Sequence, residues 1–196
     1  KILELEKATK QTELQQLKKQ INPHFLFNML NNANILVKDA PDEASQILEK
    51  LDNLLRYQLN DSTRREVFLT ADIQFLTSFL ELEKVRRDHF EYTIFQEGNM
   101  ENICIPPLLF IPFVENAVKH NLDSDNLSYV HLYFSVHNKQ LTFRCENSKP
   151  RVPVKREGGI GLANVKRRLD LLYESRYTLQ IEDKETTYNV NLHLNL

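Results

Sequence analysis

The sequence predicts an α+β protein in which a two-helix hairpin precedes a mixed sheet with helices on one face. Three observations carry this. Lys1 to about Val37 contains no glycine and a single proline, Pro23; Leu3, Leu17 and His24 share one heptad phase, and Leu14, Ile21 and Asn28 share another. That spacing, with Glu4, Glu6, Lys7, Lys18 and Lys19 between, suits a helix that pairs with other helices. Ala44, Ile47, Leu48, Leu51, Leu54 and Leu55 repeat the helical spacing after a short turn. Further on, Tyr129–Val136, Gln140–Cys145, Tyr177–Ile181 and Tyr188–Leu194 alternate as half-buried strands do.

Each element has a local reason. Lys38–Pro41 forms the turn of the hairpin; Pro41 suits the first position of a helix, and Asp42 and Glu43 suit its positive end. One hairpin leaves its apolar stripe half covered, so two hairpins are expected to pair as a four-helix bundle in a homodimer; packing against the rest of the same chain is the alternative. The polar run Asp61–Arg65 reads as a linker, which divides the chain into a helical domain, 1–62, and a second domain, 63–196. Thr70 is placed to cap the next helix, whose Ile73, Leu76, Phe79, Leu80 and Leu82 share a face. Tyr92–Phe95 reads as a strand ending near Gly98, Pro106 and Pro107 lead into a helix over Leu108–His120, and Leu162–Tyr173 is another helix. His137-Asn138-Lys139 joins two strands as a hairpin turn.

Composition excludes several classes. The 196 residues are 41% hydrophobic, enough for a core in one large or two small domains, and the net charge of −2 offers no basic surface for nucleic acid. No apolar run approaches the roughly 20 residues of a membrane span. Cys104 and Cys145 have no metal or redox spacing and read as core thiols in a reducing compartment. The chain begins at Lys1, not Met, so it is expected to be an excised piece of a longer protein.

Four stretches carry chemistry. In Gln20-Ile21-Asn22-Pro23-His24-Phe25-Leu26-Phe27-Asn28, a proline within a helical run disturbs the helix one turn back and sets His24 apart. A neutral imidazole is a nucleophile, although an isolated helical histidine is more often simply solvated. In Glu115–Asn121, the side chains of Asn116, Lys119 and His120 fall on one helix face, where an amide oxygen, an ammonium and an imidazole could hold Mg²⁺ and the phosphates it bridges; the alternative is a solvated helix end. Leu141, Phe143, Cys145 and Asn147 form the inward series of a strand, so the Asn147 amide can meet an adenine edge. Three of the four glycines, Gly158, Gly159 and Gly161, precede Leu162, Ala163 and Asn164 at a helix start, where backbone N–H groups can approach an anion. Between the last two stretches, Lys149, Arg151, Lys155 and Arg156 make a basic loop that could serve as a lid.

In this order the motifs resemble those of a sensor histidine kinase, most closely the LytS-type group. The resemblance adds Leu82-Glu83-Lys84-Val85-Arg86, Ile105-Pro106-Pro107, the run Gly159–Leu169 and Tyr173, and covers nearly everything after about Leu17. It implies a dimerisation and phosphotransfer hairpin followed by a Bergerat-type ATP-binding α/β sandwich. It further implies ATP and Mg²⁺ as cofactors, His24 as phosphoacceptor, and Asn116 as the Mg²⁺ ligand. Lys119, His120 and Asn121 would lie near the phosphates, with Gly159, Gly161, Leu162 and Asn164 at the glycine box. Asn28, one turn after His24, would serve the reverse reaction on the partner, a response regulator receiver domain; a polar residue fixing the bundle register is the alternative. The missing upstream part would be sensory and set in the bacterial inner membrane, with this fragment cytoplasmic. Two positions depart from the pattern. Glu146-Asn147-Ser148 stands where the fold commonly has Asp-x-Gly, leaving Glu146 as a second candidate for adenine, and Phe25 stands where an acid often follows the phosphoacceptor. An ATP hydrolase of the same fold needs a glutamate one turn before Asn116, but Pro112 is there. A dimeric ATP-binding signalling scaffold with weak or no kinase activity is the other alternative.

Overall fold

The computed structural model describes residues 23–123, 126–150 and 160–196. Helix α1 (Pro23–Asp39) and helix α2 (Pro41–Asn60) are joined through Ala40, with Pro41 in the first turn of α2 beside Asp42 and Glu43. The bend expected at Pro23 and the heptads before it lie outside the described residues. Met29 and Ala33 of α1 are buried against the stripe Ala44, Ile47, Leu51, Leu54 and Tyr57 of α2.

Helix α3 (Leu69–Arg86) is wrapped on several sides. It packs against α2 and against the following sheet layer, which explains why its buried residues run from Leu69, Ile73 and Phe75 through Leu76, Phe79 and Leu80 to Leu82. Phe25 and Phe79 lie 4.9 Å apart between ring centres, and Tyr57 stacks on Phe75 at 4.7 Å. The hairpin's inner stripe is therefore covered within the chain. Its other side is not: Phe27, Leu30, Ile35, Leu48 and Leu59 remain exposed.

Two local expectations need correction here. Thr70 does not cap α3. The helix opens one residue earlier, Phe68 stands extended at the cap position without a side-chain bond, and the Leu69 N–H donates to the Ile103 carbonyl at 2.8 Å. A short ladder supplies what a cap would have supplied: β1 (Val67–Phe68) pairs antiparallel with β3 (Cys104–Ile105). Cys104 sits on that small ladder and is exposed, so it is no core thiol.

The main sheet has the order β2 (Phe90–Glu97), β4 (Ser128–His137), β5 (Gln140–Ser148), β7 (Thr187–Asn195), β6 (Tyr177–Asp183). β2 and β4 are parallel and the remaining pairs antiparallel. Asn138 and Lys139 both have positive φ, 48° and 62°, as the two-residue turn of a tight hairpin requires. Gly98 ends β2 at φ 87°, and a Cβ there would lie 2.3 Å from the Val136 carbonyl oxygen, so no other residue fits. On the inner face Leu132, Phe134, Phe143, Cys145, Val190, Leu192 and Leu194 are buried beneath helix α4 (Ile111–His120) and helix α5 (Ile160–Tyr173). Phe143 anchors this layer, with Phe110 at 4.5 Å, Phe134 at 5.1 Å and Phe113 at 5.8 Å. The outer face carries Thr93, Phe95, His131, Tyr133, Thr142 and Arg144 around an open cleft. The helix expected from Leu108 starts at Ile111, because Leu108 takes φ 56°, outside any right-handed helix.

Candidate functional site

α4 and β5 build the site from opposite sides. Phe113, Val114, Ala117 and Val118 hold α4 on the sheet. The helical phase then leaves Asn116 and His120 half-buried at its margin and Lys119 exposed. Glu115 lies next to them, and burial pushes its carboxyl up to about 7. The Cys145 thiol faces the Phe113 carbonyl at 4.0 Å, which ties β5 to α4; burial pushes that thiol up to about 12.

One step further along the same strand face is Asn147. It is 1% exposed and opposes Val130 across the ladder. Its Nδ2 donates to the Ser148 carbonyl at 2.8 Å, while its Oδ1 is buried with no hydrogen-bond partner among the described residues. An unmet buried acceptor costs about 1–3 kcal/mol, so this oxygen is suited to a donor brought by a ligand. Glu146 belongs to the other face. There it accepts from Arg144 at 2.6 Å and from the Tyr129 hydroxyl at 3.4 Å.

Asn121 has a different setting from its neighbours on α4. It is fully buried, its Oδ1 accepts from Arg87 at 2.9 Å, and its Nδ2 donates to the Tyr129 carbonyl at 3.0 Å. Arg87 also donates to Ser128 Oγ at 2.7 Å and lies over the Phe90 ring. Sequence reading had no sign of this brace, because Arg86 and Arg87 look alike until the end of α3 is known.

α5 packs beside α4. Gly161 lies in its first turn, with Leu162 and Asn164 half-buried behind it. Gly158, Gly159 and the expected lid from Arg151 onward lie outside the described residues. His24 is the second residue of α1, and Asn28 is half-buried one turn along. A further buried cluster joins three helices: Tyr57 of α2, Asp72 of α3 and Arg168 of α5. Burial pushes the Asp72 carboxyl up to about 6, against its bonds to Tyr57 and to the Leu108 N–H.

A histidine kinase family model matches residues 12–90. The LytS sensor protein of Staphylococcus haemolyticus is 30% identical across 96% of this chain and 35% of its own length. The chain is homologous to the LytS sensor proteins across a histidine kinase core. Among its relatives, the sensor histidine kinase YpdA of Escherichia coli is 31% identical over 61% of this chain and 21% of its own. The histidine kinase core thus spans about a third of the LytS relatives' length. Solved structures agree in fold. The histidine kinase domain from the Erythrobacter litoralis EL346 blue-light activated kinase superposes with a TM-score of 0.52 at 17% identity, covering 96% of this chain and 93% of that one. The catalytic domain of histidine kinase ThkA gives 0.51 at 16% identity over 66% of this chain and 93% of that one. The α+β architecture, a helical hairpin followed by a mixed sheet with helices on one face, is the fold of those kinase domains.

Proposed function

We propose that this chain is the core of a two-component sensor kinase that uses Mg-ATP to phosphorylate His24 and passes the phosphoryl group to an aspartate of a response regulator. The observation that carries the nucleotide half of this reading is the unmet Asn147 Oδ1, buried on the inner sheet face where an adenine amino group could donate to it. The opposite orientation of Glu146 favours Asn147 over it as the adenine partner. An amide accepts without charge, so nucleotide is held less tightly than by a carboxylate.

Asn116 would hold Mg²⁺, which when bound offsets charge on the phosphates during transfer. Lys119 and His120 stand on the same helix face toward those phosphates, and the backbone near Gly159 and Gly161, with Leu162 and Asn164, would line the glycine side. Asn121 supports the end of α4 through Arg87 rather than reaching outward. In the transfer itself an imidazole nitrogen of His24 forms the new N–P bond as the bond from γ-phosphorus to the bridging oxygen breaks, ADP leaves, and the ring gives up a proton. The exposed face of Phe27, Leu30, Ile35, Leu48 and Leu59 suits a second copy of the hairpin. The upstream part would be sensory and membrane-set, with this core on the cytoplasmic side; no described helix is long and apolar enough to cross a membrane.

Incubation with γ-labelled ATP tests the reading. The protein should take up acid-labile, alkali-stable label, and His24→Ala should take up none while still binding ATP. Asn116→Ala should lose both label and Mg-dependent nucleotide affinity. Free phosphate without protein label would point to a hydrolase, and neither product to a scaffold. For Asn28, an amide one turn from His24 can orient water toward an aspartyl phosphate. Asn28→Ala should therefore keep autophosphorylation and slow regulator dephosphorylation; an unchanged dephosphorylation rate removes that role.

A further inference from the structure

Three helices converge on one residue and the two peptide units that flank it. Leu108, just before α4, is buried and has φ 56°, a left-handed conformation that a leucine adopts only when its surroundings impose it. Both sides of this residue are gripped. Its N–H donates to Asp72 Oδ1 at 3.0 Å. Its carbonyl accepts from Arg168 Nη1 at 2.5 Å, and Nη2 of the same guanidinium donates to the Pro107 carbonyl. From the hairpin, the Tyr57 hydroxyl donates to Asp72 Oδ1 at 2.5 Å.

The charges are fully enclosed: Asp72 is 0% and Arg168 4% exposed. They attract each other, but the backbone of Pro107 and Leu108 bridges them rather than a direct bond, and Asp72 Oδ2 and Arg168 Nε have no partner among the described residues. Opposite charges buried this way stabilise a fold poorly compared with apolar side chains of the same size. The arrangement fixes a direction instead. A rotation at Leu108 would swing the whole of α4, and Arg168 ties that entry point to α5, whose first turn contains Gly161.

We propose that Asp72 and Arg168 are positioning residues that aim α4, and so Asn116, at the nucleotide, and that Tyr57 makes this aim depend on how the hairpin is docked. The inference rests on the kinase reading above. The nucleotide site and the phosphoacceptor hairpin then share one buried oxygen, Asp72 Oδ1.

The test combines amide exchange with kinetics on the same chain. In Arg168→Lys, which replaces the planar two-nitrogen fork by a single ammonium on a shorter side chain, amides of residues 111–118 should exchange about tenfold faster and Mg-ATP should bind about tenfold more weakly, with β7 amides unchanged. In Tyr57→Phe, ATP affinity should stay within about twofold while His24 labelling slows by about tenfold. Should Arg168→Lys not fold, Asp72→Asn, which keeps an oxygen for Leu108, should show the same pattern at smaller size. Unchanged exchange in α4 of the folded variant, faster exchange with unchanged ATP affinity, or a Tyr57→Phe protein of parental rate would each overturn the proposal. So would losses of protection spread evenly over the sheet, which mark a merely structural pair. If the parent chain bound no Mg-ATP, the kinase reading itself would fall, and with it the role of aiming Asn116, while the exchange arm would still report whether the clamp holds α4.

Discussion

The hairpin and the sheet layer bury their apolar residues to very different extents. Around Phe143 the layer is closed: Phe110, Phe113 and Phe134 surround one ring, and all four are at most 2% exposed. The hairpin is closed on one side only. α3 covers Tyr57 and Phe25, but Ile35 is 70% and Phe27 67% exposed on the other side. The inner side of the sheet is therefore closed within one chain, whereas the hairpin keeps an exposed apolar face.

The ring cluster is the most sensitive point of the sheet layer. Phe143→Ala should cost about 3–5 kcal/mol, since it removes a large side chain from a site whose neighbours cannot collapse inward. Thermal melting would show it as a large fall in midpoint, and a loss below about 1 kcal/mol would mean the layer is less tightly closed than described.

A smaller effect lies at the edge of the same layer. Burial raises the Glu115 pKa from the usual 4.5 to about 7. The folded protein therefore keeps a proton that the unfolded chain releases, so stability from this group is full below pH about 4.5 and is lost as pH rises toward 7. Glu115→Gln should flatten the pH dependence of the unfolding free energy in that window. Parallel curves for the two proteins would show that Glu115 is solvated.

The smallest stability effect is expected on the open side of the hairpin. Ile35→Glu should change monomer stability by only about 0.5 kcal/mol or less, yet it places a charge in the exposed apolar face. Sedimentation should show a dimer for the parent chain and a monomer for the variant. A variant that still dimerises would move the partner surface elsewhere.

The same contrast governs what could be read in advance. Helical stripes and strand alternation are local, so the end of α1, the start of α2, α5 and both antiparallel hairpins were legible to within a few residues; the expected start of α1 lies outside the described residues. Pro41 marked the start of α2, and the strand phase put Asn147 inward. The β1–β3 ladder was not legible, since each strand has two residues and its pairing spans the whole of α3. Nor was the loss of the Thr70 cap, which follows from that ladder. Asp72 looked like one more polar position in a helix; its partners Tyr57 and Leu108 are 15 and 36 residues away. Arg167 and Arg168 are indistinguishable as letters, and only the phase of α5, with Val165 and Leu169 buried, turns the second inward. The glycine box and the basic lid rest on sequence alone.

The single parallel pair among the described strands has a consequence for how this chain is made. β2 and β4 run the same way, so the chain must travel back between them, and α4 lies in that return path. During synthesis the helix bearing Asn116 leaves the ribosome before β4 and β5, the strands it packs on, exist. It is made early and seated late, and until those strands arrive its apolar side, Phe113, Val114 and Ala117, has no sheet to cover it.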